Sequence, residues 1–312
     1  MNLGVHARTA VVTGSTAGIG LAIAMALAAE GASVVVNGRT PARVTAAIER
    51  IRQTVPGARV QGVAADLGTA AGVETFVGEV PDADVLVNNL GIFEAKPFGE
   101  IPDADWMRFF EVNVLSGVRL ARRYVPGMTA RKWGRVIFIS SESAQQIPPE
   151  MIHYGMTKTA QVAIARGLAE ALAGTGVTVN SVLAGPTASE GVGTFVEQLA
   201  RQQGKTKEEV EQQFLAAARP SSLLKRFESP DEIGAVVAFV ASDPARVING
   251  AAVRAGGRRR RAQHLLNLTG GTPWHRIVES SPQHCCSGRG SSWPCPSWAW
   301  RRPEPGVRLR PA

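Results

Sequence analysis

From Thr9 to Asn89 the chain repeats one pattern: short β-branched runs alternate with longer amphipathic stretches. "TAVVT", "SVVVN", "RVQGVAAD" and "DVLVNN" are separated by "IGLAIAMALAAEG", "PARVTAAIERI" and "VETFVGEV". Apolar continuity over four or five residues predicts strands buried on both faces, and the three-to-four spacing between them predicts covering helices. This alternation restricts the chain to an α/β fold, a doubly wound parallel sheet. Helix punctuation agrees, with Thr40-Pro41 expected to cap one helix and Ser229-Pro230-Asp231-Glu232 another.

No charge occurs from Ala10 to Ala29, as in a signal peptide or a membrane span. The glycine-bearing turn "TGSTAG" in its middle predicts strand-turn-helix instead, and the expected location is cytoplasmic with no membrane association. After "GRVIFISS" the pattern predicts a long helix from about Tyr154 to Ala173 and a further strand, "VTVNSV". Between Pro186 and Pro220 two helices are expected. Val192, Phe195, Val196 and Leu199 share a face of the first, and Val210, Phe214 and Leu215 a face of the second. They form a lid over about 187–222.

"TGSTAGIG" places Gly14, Ser15, Thr16, Gly18, Ile19 and Gly20 between the first strand and the first helix. Glycines there let the backbone approach a pyrophosphate at a helix N-terminus, where free amides and the helix dipole favour negative charge. The second strand ends Asn37-Gly38-Arg39-Thr40, with no carboxylate to receive a ribose. Arg39 suits a 2′-phosphate, so NADP(H) is favoured over NAD(H). Tyr154 and Lys158 in "HYGMTK" lie four apart on one helix face. A neighbouring ammonium, together with an oxidised nicotinamide, is expected to lower the pKa of the phenol and make proton transfer accessible.

These motifs, with "NNLG", "EVNV", "ISS" and "RFESPDEIGAVVAFVASDPARVINGAAV", resemble the short-chain dehydrogenase/reductase family over about residues 3–255. The β-ketoacyl-reductase-like branch is the nearest in pattern. The resemblance implies a Rossmann-type single domain with a helical lid and hydride transfer between nicotinamide and a small-molecule carbonyl or alcohol. It makes Tyr154 the general acid, Lys158 the ribose ligand that depresses the Tyr pKa, Ser141 the group polarising the carbonyl, and Asn113 the holder of a water. It also places Asp66 and Leu67 at the adenine, Asn88 and Gly91 on the cofactor side of the sheet, and Gly185 and Thr187 at the carboxamide.

Family relatives usually carry Ala where Leu90 stands and Pro-Gly where Ala184-Gly185-Pro186 stands, so the nicotinamide wall is expected to differ in shape. His153, Glu142 and Gln145 are weaker substrate-contact candidates, since adjacent residues point to different faces. Assembly as a homodimer or homotetramer is also implied. The alternatives are a dinucleotide-binding protein without catalysis and nucleic-acid binding through the tail.

That tail, 256–312, carries ten Arg against two Glu and so accounts for the whole formal charge of +8. The preceding 255 residues hold as many acids as bases, which removes any overall field for nucleic acid or anionic membrane. All three cysteines also lie in the tail, so the body has no disulfide framework or thiolate metal site, and no metal is expected. Gly256-Gly257 lacks the preceding Asp common in the family, and composition then shifts to Arg, Pro, Ser, Trp and Cys without periodicity. This predicts a reading-frame slip near Ala255 in preference to a genuine basic arm.

Overall fold

The computed structural model describes residues 2–256 apart from 190–192, 194–195, 198–199, 202 and 221. The tail readings at 257–312 and the lid residues Val192, Phe195 and Leu199 lie outside the described residues. Strands β1 (Thr9–Val12), β2 (Ser33–Gly38), β3 (Arg59–Ala64), β4 (Val85–Asn88), β5 (Gly134–Ser141), β6 (Val177–Ala184) and β7 (Ala252–Ala255) form one sheet in the order β3-β2-β1-β4-β5-β6-β7. All six pairings are parallel, so every connection must cross over the sheet. The order reverses between β1 and β4, which opens a crevice at their carboxyl ends.

Alternating side chains feed two cores, because successive residues of a strand face opposite ways. Ala10, Val12, Val34, Val36, Val85, Val87, Ile137 and Ile139 pack with helices α1 (Gly18–Ala29), α2 (Pro41–Thr54) and, from the C-terminal part, Pro230–Val240. Val11, Val35, Leu86, Val136 and Phe138 pack on the other face with α3 (Ala70–Glu79), α5 (Ser116–Ala130) and α6 (Ile152–Ala171). Each fully buried Val, Leu or Phe contributes about 1.5–3 kcal/mol, enough to hold both layers without disulfides.

The uncharged stretch from Ala10 is therefore strand, turn and buried helix. No helix among the described residues is long and apolar enough to cross a membrane. Helix α1 is apolar on most sides because it lies between the sheet and the helix Pro230–Val240. A Cβ at Gly234 would stand 2.8 Å from the carbonyl oxygen of Ala22. Gly234→Val is expected to force these helices apart and lower the stability by about 1–3 kcal/mol, read as a shift of the urea midpoint.

Two local expectations need correction or extension. Thr40 is extended and makes no side-chain cap, and Pro41 alone opens α2. Ser229 and Glu232 do form the reciprocal capping box. Helix α4 (Asp103–Phe110) runs into α5 through a π-helical turn, Glu111–Leu115, which the sequence pattern does not foreshadow. After β6, α7 (Lys207–Ala218) carries a Thr206–Glu209 capping box, and Val196, Ala200, Val210, Leu215 and Phe227 make a small apolar cluster. Phe214 is not buried with them; it is partly exposed, edge-on to Phe227. The C-terminal helix, Pro230–Val240, is α8.

Candidate functional site

The turn after β1 is built by polar side chains around the glycines. Gly14 and Gly18 have φ of 59° and 55°, in the left-handed region that a side chain disfavours. Asn37, buried at the end of β2, accepts from the Gly14 amide at 3.2 Å and donates to the carbonyls of Val63 and Ala65. Asn89 donates to the carbonyls of Thr13 and Gly14 at 2.9 and 3.1 Å. A Cβ at Gly20 would lie 2.5 Å from both Asn89 Nδ2 and the Gly14 carbonyl oxygen. The two asparagines thus hold the loop open, a task that sequence reasoning did not assign to them.

Asn88, by contrast, is buried against Gly117, and its amide atoms have no hydrogen-bond partner among the described residues. Ser15 is turned inward, donating to the Val12 carbonyl and accepting from the Asn37 amide, so its hydroxyl does not line the crevice. Beside this turn a cleft of about 530 Å3 is lined by Gly14, Thr16, Arg39, Arg43, Asp66, Leu67, Leu90 and Gly91, among others. Arg39 and Arg43 are both exposed there. Arg43 was missed because it looks like any solvated helix residue. The expected ligand Asp66 accepts from the Gly68 amide at 3.0 Å, which leaves its second oxygen for the cleft. Gly18 faces Ser189, and Ile19 is partly buried.

At the far end of the crevice Ser141 closes β5 and Tyr154 lies in the first turn of α6. The Ser141 hydroxyl accepts from the Ser143 amide at 3.1 Å and draws the pKa of the Tyr154 phenol down. Ser140 instead donates to the Lys158 carbonyl at 2.8 Å, buried and away from the phenol. Lys158 Nζ donates to the Ile139 carbonyl at 2.9 Å and stands 5.6 Å from the centre of the Tyr154 ring. A Cβ on Gly91 would stand 3.5 Å from Lys158 Nζ and from Asn113 Oδ1, an ordinary contact distance, so Gly91 lies directly against both groups.

Asn113 sits in the π-helical turn, where one residue more than an α-turn re-aims the side chains. Its amide exchanges two hydrogen bonds with the backbone of Ile92 and donates to Thr157 Oγ1 at 3.0 Å. Its carbonyl accepts from Gln161 Nε2 at 2.6 Å. Asn113 therefore joins the loop after β4 to α6. The Thr187 hydroxyl donates to the Gly185 carbonyl at 3.0 Å.

Burial raises the Tyr154 phenol above its ordinary pKa; Ser141 and Arg219 pull it down, and Glu142 pushes it up. Burial also pulls the Lys158 ammonium down to about 8. Among the weaker candidates, His153 is fully buried beneath Phe109 at 4.1 Å and Trp106 at 6.0 Å between ring centres, so it does not face substrate. Glu142 pairs with Arg219, and Gln145 accepts from Arg254.

Glu228 was not anticipated. Its Oε2 accepts from the Gly185 amide at 3.0 Å, while Oε1 has no hydrogen-bond partner among the described residues. Burial pushes this carboxyl from 4.5 up to about 7. The native state therefore holds the proton more tightly than the unfolded chain. That contribution to stability is complete below the unfolded pKa and is lost as pH climbs through about 7. Glu228→Gln is expected to be more stable than the parent at pH ~8 by on the order of 1–3 kcal/mol, with the gap closing near pH ~5. Urea unfolding at the two pH values checks it.

The family model for short chain dehydrogenase matches residues 8–200. An oxidoreductase of Bacillus subtilis, YvaG, is 48% identical over 257 residues, covering 82% of this chain and 97% of that protein. D-beta-hydroxybutyrate dehydrogenase of Cupriavidus necator is 35% identical over 250 residues, covering 79% and 95%. The structure of L-sorbose reductase from Gluconobacter frateurii, solved with NADPH and L-sorbose, superposes with a TM-score of 0.78 at 33% identity, covering 83% of this chain and 98% of that one.

Proposed function

The chain belongs to the short-chain dehydrogenase/reductase family, and from that premise we propose that it is an NADP(H)-dependent carbonyl reductase, reversible as an alcohol dehydrogenase, with Tyr154 as its proton donor. The observation that carries this reading is the placement of Ser141 at the end of β5 and Tyr154 in the first turn of α6, with Lys158 Nζ 5.6 Å from the centre of the phenol ring.

The cleft suits a dinucleotide: glycines line it where added carbons would intrude, and two guanidinium groups stand at its rim. Gly14, Thr16, Gly18, Ile19 and Gly20 would hold the pyrophosphate, Arg39 and Arg43 the 2′-phosphate, and Asp66 and Leu67 the adenine. Gly91, Gly185, Thr187 and Lys158 would border the nicotinamide end. NADPH, when bound, supplies the hydride that reaches the carbonyl carbon.

Ser141 orients the substrate oxygen and Tyr154 gives that oxygen its proton. The phenol is protonated at neutral pH, the form that donates in the direction of reduction. Oxidation needs the phenolate, so its rate should rise with pH. Asn113 acts as a brace, keeping Lys158 and the Ile92 loop in register. Assembly as a homo-oligomer belongs to the same proposal and is supported by the exposed Phe239 and Val247 near β7.

NADPH oxidation by the full chain against a panel of hydroxyketones, 3-ketoacids and lipophilic ketones tests the assignment. Turnover of one class, faster with NADPH than with NADH, is expected. Tight NADPH binding with no turnover of any carbonyl would overturn it.

A further inference from the structure

β6 ends at Ala184, and from there the chain leaves the sheet alongside Glu228. The Glu228 amide donates to the Pro186 carbonyl at 2.9 Å, and the Ala188 amide donates to the Glu228 carbonyl at 2.8 Å. Thr187 and Glu228 thereby form a parallel bridge outside the seven strands. The side chain adds a third tie. Its Oε2 accepts from the Gly185 amide at 3.0 Å, and the same amide donates to the Ala255 carbonyl of β7 at 2.8 Å. One carboxyl thus joins the exit of β6, the end of β7 and the segment that enters α8.

The carboxyl also fills the room a side chain would need. A Cβ on Gly185 would overlap Glu228 Oε1, and one on Gly256 would stand 3.1 Å from the same oxygen. Stability does not account for this group. Glu228 is 3% exposed and Oε1 has no hydrogen-bond partner among the described residues, which costs free energy whether the carboxyl is charged or neutral. A local rule broken at a cost is expected where a residue positions a functional segment. The segment in question is 185–187, whose Thr187 hydroxyl donates to the Gly185 carbonyl at 3.0 Å. Any shift at Gly185 is passed directly to Thr187.

We propose that Glu228 is a positioning residue: by accepting from the Gly185 amide, its carboxyl fixes the 185–187 segment at the nicotinamide end of the cleft. The proposal rests on the reading of that segment as part of the cofactor site. It assigns Glu228 no contact with cofactor or substrate.

Two ligands separate this role from general support of the fold. NADPH reaches both ends of the site, whereas adenosine 2′,5′-bisphosphate carries the adenine, ribose and 2′-phosphate without the nicotinamide. Isothermal titration of the full chain with each measures the two ends apart. Glu228→Met fills the same space but cannot accept the hydrogen bond, and it is expected to weaken NADPH about 10-fold while the bisphosphate stays within about twofold of the parent. Glu228→Gln keeps an acceptor for the Gly185 amide and should bind both ligands as the parent does.

Equal losses for the two ligands in Glu228→Met, or no loss for either, would overturn the proposal. So would a Glu228→Gln variant as weak toward NADPH as Glu228→Met. Should Glu228→Met not fold, Glu228→Asp, one methylene short of the Gly185 amide, is held to the same outcomes. No substrate is needed. A parent that binds neither ligand overturns the cofactor reading, and this proposal with it; a parent that binds both, beside an unaltered Glu228→Met, removes only the role of Glu228.

Discussion

Replacing Tyr154 by Phe is expected to lower turnover by about 10²–10⁴-fold, the usual contribution of a positioned proton donor, while NADPH affinity changes little. The substitution removes one oxygen. The ring keeps its place beside Phe93 and over Lys158, and the glycine turn, held by Asn37 and Asn89, is untouched. Steady-state rates on the best substrate of the panel, with NADPH binding followed by fluorescence, separate the two quantities. An equal loss of affinity would mean that Tyr154 shapes the cofactor site instead of donating a proton, and unchanged turnover would remove it from the chemistry altogether.

The sheet was readable because its signal is redundant: β2 and β5 are continuous apolar runs, and each is followed by a glycine, serine or asparagine where the chain leaves the core. The pairing of Tyr154 with Lys158 followed from helical spacing alone. What escaped was set by atoms distant in sequence. The clamps of Asn37 and Asn89 appear only when β1, β2 and β4 lie side by side, and nothing local separates Asn89 from Asn88. Whether Ser140 or Ser141 faces the phenol depends on strand parity at the end of β5. The burial that raises the phenol in the protein alone is something a linear sequence does not display.

Removing Arg39 and Arg43 together is expected to weaken NADPH binding by on the order of 100-fold, about 10-fold for each guanidinium, and to leave NADH nearly unaffected. Both side chains are exposed, so each contact is discounted for solvent screening, and the loss should shrink as salt is raised. Single variants should show comparable steps, since both line the same rim. Isothermal titration with the two cofactors checks the prediction. A loss shared equally by NADH would indicate a collapsed rim and not a missing phosphate contact.

The π-helical turn at Glu111–Leu115 constrains chain length as well as side-chain identity. Deleting one residue there would let the segment relax to plain α geometry with α4 and α5 still in phase, because the wider turn absorbs one extra residue. Phe109, packed on His153, and Leu120 and Tyr124, buried against the sheet, could keep their seats, while Asn113 would lose its aim at Ile92 and Thr157. A one-residue deletion in this stretch should therefore cost more activity than stability.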